Sequence, residues 1–245
     1  MNKKVIIGII AAVIVVAACV GGYLLLGNND KGSTENDSNA KDVLENSRVD
    51  QESNDTEDDT TDDNVTSEDN TTSGGKTLVV YFSKTGENYS VGNIDVGNTA
   101  MMASYMKEYL NADSFEIVPV NKYSDDYEEC KKEATKEMNE NARPEIQNKI
   151  NNFDSYDTIF IGYPIWWGDM PMIIYTFLES YDFSGKTVIP FNTHEGSGNS
   201  GTYSTINSKL SDAKVNTNGL ALRGATARTS DGKEQTIKWL KELGY

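Results

Sequence analysis

Five apolar or aromatic residues at positions 78–82 (LVVYF) run without polar alternation and stop abruptly at Ser83, Lys84, Thr85 and Gly86. A short run rich in β-branched and aromatic side chains, with no polar face, suits a central parallel strand covered on both sides. The hydroxyls and free backbone N–H groups that follow, where a helix should soon begin, make an anion-binding arrangement. Neither G-x-x-x-x-G-K-[ST] nor G-x-G-x-x-G is present, so a nucleoside triphosphate with magnesium is not the expected ligand. Taken alone, the loop serves equally well as an ordinary strand-to-helix turn.

Further along, strand-like and helix-like stretches alternate. Residues 87–97 form a small excursion bounded by glycines, and Asn98 and Thr99 then cap a helix to about Leu110, with Ala100, Met101, Ala103, Met106 and Leu110 near one face. If the excursion folds aside, Asn98 and Thr99 return to the mouth of the first loop. A strand is expected over 115–120, an amphipathic helix over 123–141 ahead of Pro144, a buried strand over 158–162 and a helix over 171–178 opened by Pro171. A strand over 186–191, a helix over 202–210 and a weak strand over 219–223 follow, and Asp231 with Glu234 resembles a capping box for a last helix with Ile237, Leu240 and Leu243 on its apolar side. Such alternation implies a parallel sheet with right-handed crossovers. Ligands of such sheets bind beyond the carboxyl ends of the strands, where the loops at Ser83, Tyr163 and Thr193 can converge.

The N-terminal third is of another character. Residues 5–26 are uncharged and mostly apolar, long enough at about 33 Å of helix to cross a bilayer. Lys3 and Lys4 precede this run and an acidic segment follows, so the chain beyond it is expected outside the cytoplasm. The tetrapeptide VAAC at 16–19 also resembles the box at which bacterial lipoproteins are cut and lipidated, here on Cys19. Either way, residues 1–27 anchor the protein to the outer face of a membrane. Residues 28–75 hold 15 acidic and three basic side chains, three quarters of the chain's net charge of −16. Such a composition cannot build a core and reads as a disordered tether. Residues 76–245 remain as one domain, and the negative charge argues against nucleic acid. Cys130 reads as a small buried side chain, and no metal-ligand pattern is visible.

Two further loops carry chemistry. Trp166 and Trp167 stand side by side after Pro164 and Ile165, in a loop rather than on an amphipathic face. They suit the flanks of a planar ligand, or else cover a sheet edge. Thr193, His194, Glu195, Gly196 and Gly198 form a polar, glycine-rich loop whose backbone can approach the rim of a heterocycle, unless it is simply a flexible connection. Together these loops describe a site for a flat ring on a phosphorylated tail.

The segments VYFSKTG at 80–86 with GNT at 97–99, GYPIWWGDMP at 162–171 and IPFNTHEGSG at 189–198 resemble bacterial flavodoxin-like domain proteins, in the family's order. The resemblance implies an α/β flavodoxin-like three-layer sandwich with a five-stranded parallel sheet in the order 2-1-3-4-5. It implies FMN as cofactor, with Ser83, Thr85, Gly86, Asn98 and Thr99 holding the phosphate. Pro164, Ile165, Trp166 and Trp167 would flank the isoalloxazine, and Thr193, His194, Glu195, Gly196 and Gly198 would line its pyrimidine side. Two departures stand out: the phosphate loop is interrupted between Gly86 and Asn98, and Glu87 places a negative charge beside it. With no triad, carboxylate dyad or metal site in view, the chemistry belongs to the cofactor. The expected function is electron transfer to a redox partner protein or a small-molecule acceptor, at a low potential because acidic surroundings disfavour anionic reduced flavin. The alternatives are an FMN-dependent NAD(P)H oxidoreductase acting on quinones and a flavin-free envelope binding module.

Overall fold

A computed structural model describes residues 75–245. The expected anchor at 1–27 and, apart from Gly75, the expected tether at 28–75 lie outside the described residues. β1 (Thr77–Tyr81) is the strand expected from the opening apolar run, with Leu78, Val79 and Val80 buried. Parallel to it run β4 (Asp113–Glu116) on one side and β5 (Thr158–Pro164) on the other, with β6 (Thr187–His194) beyond β5. The outermost position is shared: β7 (Lys214–Val215) pairs with the start of β6 and β8 (Leu220–Arg223) with its end. Five positions in the order 2-1-3-4-5 result, the fifth filled by a split strand.

Because side chains alternate along a strand, each central strand feeds two cores. Leu78, Val80, Ile159, Ile161 and Tyr163 face α3 (Met172–Ser180) and α4 (Thr202–Lys209), in a cluster that also takes Cys130 from α2 (Tyr127–Glu140). Val79, Phe160, Ile189 and Phe191 face the other way, onto Met102, Ala103 and Met106 of α1 (Asn98–Leu110) and Trp239 and Leu240 of α6 (Ser230–Glu242). A one-turn α5 (Gly224–Ala227) follows β8. The result is a three-layer α/β sandwich. Among the described residues no helix is long and apolar enough to cross a membrane.

Several boundaries depart from the sequence expectation. The second strand occupies Asp113–Glu116 rather than 115–120, because an edge strand paired on one side tolerates exposed polar residues, and Pro119 instead bridges Ile146. The helix expected from residue 123 starts at Tyr127, since the side chain of Asp126 accepts a hydrogen bond from the Glu129 N–H at 2.9 Å and caps it there. Tyr123 goes to the core. The last helix is capped by Thr229, which accepts from the Gly232 N–H at 3.2 Å, so Asp231 and Glu234 do not form its capping box. The excursion expected over 87–97 contains an antiparallel hairpin that begins one residue earlier: β2 (Gly86–Asn88) pairs with β3 (Gly92–Ile94), outside the main sheet.

Candidate functional site

Because Gly86 pairs with Ile94, the chain leaves the first loop and returns to it. Gly97 then packs against Ser83 and Lys84, where a Cβ would overlap Ser83 Oγ and lie 2.6 Å from the Lys84 carbonyl oxygen. Ser83 Oγ accepts a hydrogen bond from the Ala100 N–H at 3.0 Å, so a residue before the hairpin caps the helix that begins after it. Asn98 and Thr99, buried in the first turn of α1, thereby sit at the mouth of the first loop. Thr99 Oγ1 lies 2.8 Å from Thr193 Oγ1, tying α1 to the third loop. Lys84 Nζ donates to the carbonyl oxygens of Thr85 and Glu87, each at 2.9 Å, and the Glu87 carboxylate accepts from the Tyr127 N–H at 3.1 Å. The charge of Glu87 is thus spent on the N-terminus of α2.

The second loop is a tight turn. The Trp166 N–H donates to the Asp169 carbonyl at 2.9 Å and the Asp169 N–H donates back at 3.0 Å, with Trp167 (φ 53°) and Gly168 (φ 77°) at the apex. Two consecutive positive φ values are the signature of a type I′ connection. An L-residue in the left-handed region costs about 1–2 kcal/mol, so a tryptophan there is held by its surroundings. The holding group is Asp169, whose carboxylate accepts from the Met170 N–H and from Tyr175 Oη on α3. The two indoles have different fates. Trp166 is half-buried, edge-on to Phe82 at 5.5 Å and to Tyr123 at 5.0 Å, whereas Trp167 is 55% exposed.

The third loop leaves the end of β6. Asn192, wholly buried, accepts from Tyr203 Oη at 2.6 Å and donates to the Gly198 carbonyl at 3.1 Å, which pins the glycine loop onto α4. The Ile165 N–H donates to the Thr193 carbonyl at 2.8 Å and joins this loop to the tryptophan turn. His194 Nδ1 accepts from the Gly196 N–H at 2.9 Å. Burial, with the charge of Arg223 second, holds the imidazolium below its usual value. Burial also raises the carboxyl of Glu195, against a backbone hydrogen bond from Gly224 and the attraction of Arg223.

Asn98, Pro164, Ile165, Trp166, Trp167, Thr193, His194 and Glu195 line one cleft beyond the carboxyl ends of β5 and β6. Ser83 and Thr85 line a neighbouring groove with Ile117 and Lys122, Gly86 packs against Asp125, and Thr99 is buried behind the cleft. Gly196 and Gly198, in the third loop, are not on its wall. Sequence reasoning did not assign the other wall: Lys84, Glu87, Asn88 and Tyr89 of the loop and hairpin, and Tyr127, Cys130, Lys131 and Ala134 of α2. The last four recur at helical spacing and form one stripe, which periodicity reveals as a face without saying what it meets. Burial pushes the Cys130 thiol up to about 11, so it is an inert wall residue at neutral pH. Among the described residues no group of acidic, histidine or cysteine side chains could hold a metal ion.

A family model described as Flavodoxin matches residues 76–243. The chain belongs to the flavodoxin family. Its fold is shared with two solved structures described as candidate flavoproteins. One, from Bacteroides eggerthii DSM 20697, is 31% identical, covers 70% of this chain and 99% of its own, and superposes with a TM-score of 0.56. The other, from Bacteroides uniformis ATCC 8492, is 34% identical, covers 69% and 99%, and gives a TM-score of 0.55. No curated protein matches the chain. Residues 1–75 and 244–245 lie outside the match, and the hairpin of β2 and β3 lies inside it.

Proposed function

We propose that the domain binds FMN in the cleft and works as an electron-transfer protein held at the outer face of the cell membrane. The observation that carries the flavin reading is the meeting of a helix N-terminus and an aromatic-walled cleft at one end of the sheet. The residues fit the coenzyme. The backbone N–H groups of Lys84, Thr85, Asn98 and Thr99 have no hydrogen-bond partner among the described residues, and α1 carries no acidic side chain in its first turn. Such a donor set, at the start of a 13-residue helix, suits a phosphate dianion. The Ser83 hydroxyl accepts from Ala100 and keeps its own hydrogen to donate, and Glu87 is already turned to α2.

In this reading Pro164, Ile165, Trp166 and Trp167 lie against the ring system, and Thr193, His194 and Glu195 along its polar edge. Bound FMN supplies one- and two-electron chemistry; the chain's share is to orient the ring, exclude water from one side of it and set its electrostatic surroundings. The partner is a redox protein or a small-molecule electron acceptor. Membrane attachment rests on the sequence: the uncharged run at 5–26 behind Lys3 and Lys4, or lipidation at Cys19.

Titration of the purified protein with FMN, followed by quenching of flavin fluorescence, tests the cofactor. Saturable binding that is lost in Ser83→Asp is expected, and no binding to well-folded protein would sink the reading. Steady oxidation of NAD(P)H by the loaded protein would favour the oxidoreductase alternative instead. Fractionation of cells and the mass of the mature N-terminus test the anchor. Recovery in the soluble fraction refutes it, and a mass starting at a lipidated Cys19 selects the lipoprotein route.

A further inference from the structure

Resting on the flavin reading above, we infer that the inserted hairpin β2–β3 is a preformed wall of the ring site, with Tyr89, backed by Tyr127, as its ring-contacting residue. Strands of three residues cannot hold a hairpin in water unaided. This one is fastened to the N-terminus of α2. The Glu87 N–H donates to the Asp125 carbonyl at 2.8 Å, and its carboxylate accepts from the Tyr127 N–H at 3.1 Å. Within the base, Asn88 Nδ2 donates to the carbonyls of Lys84 and Gly86, and Lys84 Nζ spans those of Thr85 and Glu87. All of these bonds are made by the chain itself, so the wall stands before any ligand arrives and its ordering adds nothing to the cost of binding.

Tyr89 stacks on Tyr127 with ring centroids 6.0 Å apart and planes 29° apart. It is nonetheless 61% exposed, and it lines the same cleft as Trp167, itself 55% exposed. Two large aromatic side chains from unrelated elements, both mostly in water and both on one cleft, gain by covering a flat apolar surface. The half-buried Tyr127 fixes the attitude of Tyr89 from behind. The insertion that interrupts the phosphate loop therefore acts on the ring and not on the phosphate.

The test is titration of the full-length protein, Tyr89→Ala and Tyr89→Phe with FMN and with riboflavin, alongside the thermal midpoint of each. Tyr89→Ala is expected to weaken both flavins by the same factor, about five- to tenfold, the worth of one aromatic contact. Tyr89→Phe should bind within about twofold of wild type, and neither variant should move the midpoint, because the ring is mostly exposed. Unchanged binding in Tyr89→Ala overturns the inference while leaving the flavin reading intact. A loss confined to FMN overturns it too, assigning the hairpin to the phosphate. A wild type that binds neither flavin ends the flavin reading and this inference together. A fallen midpoint with unchanged affinity would assign Tyr89 to the fold alone.

Discussion

Gly97→Ala probes the junction on which the proposed phosphate site depends. Gly97 has φ −66° and ψ 155°, which alanine adopts freely, so backbone conformation is no obstacle. On entropy alone the substitution would stabilise by about 0.4–1 kcal/mol. The added methyl, however, overlaps Ser83 Oγ and stands 2.6 Å from the Lys84 carbonyl oxygen. Rotating the Ser83 hydroxyl away breaks its bond to the Ala100 N–H, at about 1 kcal/mol. The Lys84 carbonyl is backbone and yields only if the loop and the start of α1 separate, and overpacking of that kind costs about 1–3 kcal/mol. The steric term exceeds the entropic one, leaving a net loss of about 1–3 kcal/mol. For a domain of this size that is a fall of roughly 3–10 °C in the thermal midpoint. Separation also moves the N–H groups of Asn98 and Thr99 away from those of Lys84 and Thr85. FMN affinity should fall more than riboflavin affinity, since only FMN carries the phosphate. Thermal melts and parallel titrations of the two flavins read both effects. A midpoint within 1 °C of wild type with an unaltered FMN-to-riboflavin ratio would refute the account of the junction.

The two tryptophans should part company in urea unfolding. Trp166→Ala loses its edge contacts with Phe82 and Tyr123 and about 2–3 kcal/mol of stability, less than a fully buried tryptophan would. Trp167→Ala stays within about 0.5 kcal/mol, and Trp167→Gly gains up to about 1 kcal/mol by relieving a positive φ; equal losses at both positions would count against this division. Asn192→Ala strands Tyr203 Oη and the Gly198 carbonyl at a cost of about 1–3 kcal/mol, and amide exchange across residues 194–201 should quicken; unaltered exchange would show that the loop is held otherwise. His194, the single histidine, titrates below its usual 6.5 in the folded protein, so its neutral ring stabilises fully above about pH 6.5 and that contribution is lost as the pH falls below it. Protonation at Nδ1 also removes the acceptor for the Gly196 N–H. An NMR titration of the imidazole resonance at or above 6.5 would contradict this, as would an identical pH profile of stability in His194→Gln.

What could be read in advance was whatever depends on neighbours in sequence. The run at 78–82 has no polar side, so both of its faces had to be covered, and a sheet between two helical layers follows. The same reasoning fails for β4, where Asp113 and Glu116 sit in an edge strand that packs on one side only. Helix starts were misplaced for a related reason. Asp126 and Thr229 are ordinary capping residues a few positions from those expected, and propensity does not choose between neighbouring candidates. The cap expected at Asn98 and Thr99 is not the one that forms: both residues lie inside the first turn of α1, and Ser83 supplies the cap across 17 positions and a hairpin.

The site divides along the same line. Its one wall is made of strand ends, and a loop after a buried strand in a parallel sheet has only one place to go, so residues 164–167 and 193–195 could be placed together without a structure. The opposite wall belongs to the first loop with its hairpin and to the first two turns of α2, whose positions depend on hydrogen bonds between segments about 40 residues apart. Glu87 shows the consequence most clearly. As a letter in the sequence it is a negative charge set beside a phosphate loop and an argument against an anion. Its carboxylate instead accepts from the Tyr127 N–H, where the dipole of α2 welcomes it, and by doing so it holds Tyr89 at the cleft. The residue that reads in the sequence as an argument against a phosphorylated ligand is the one that fastens the proposed wall for its ring.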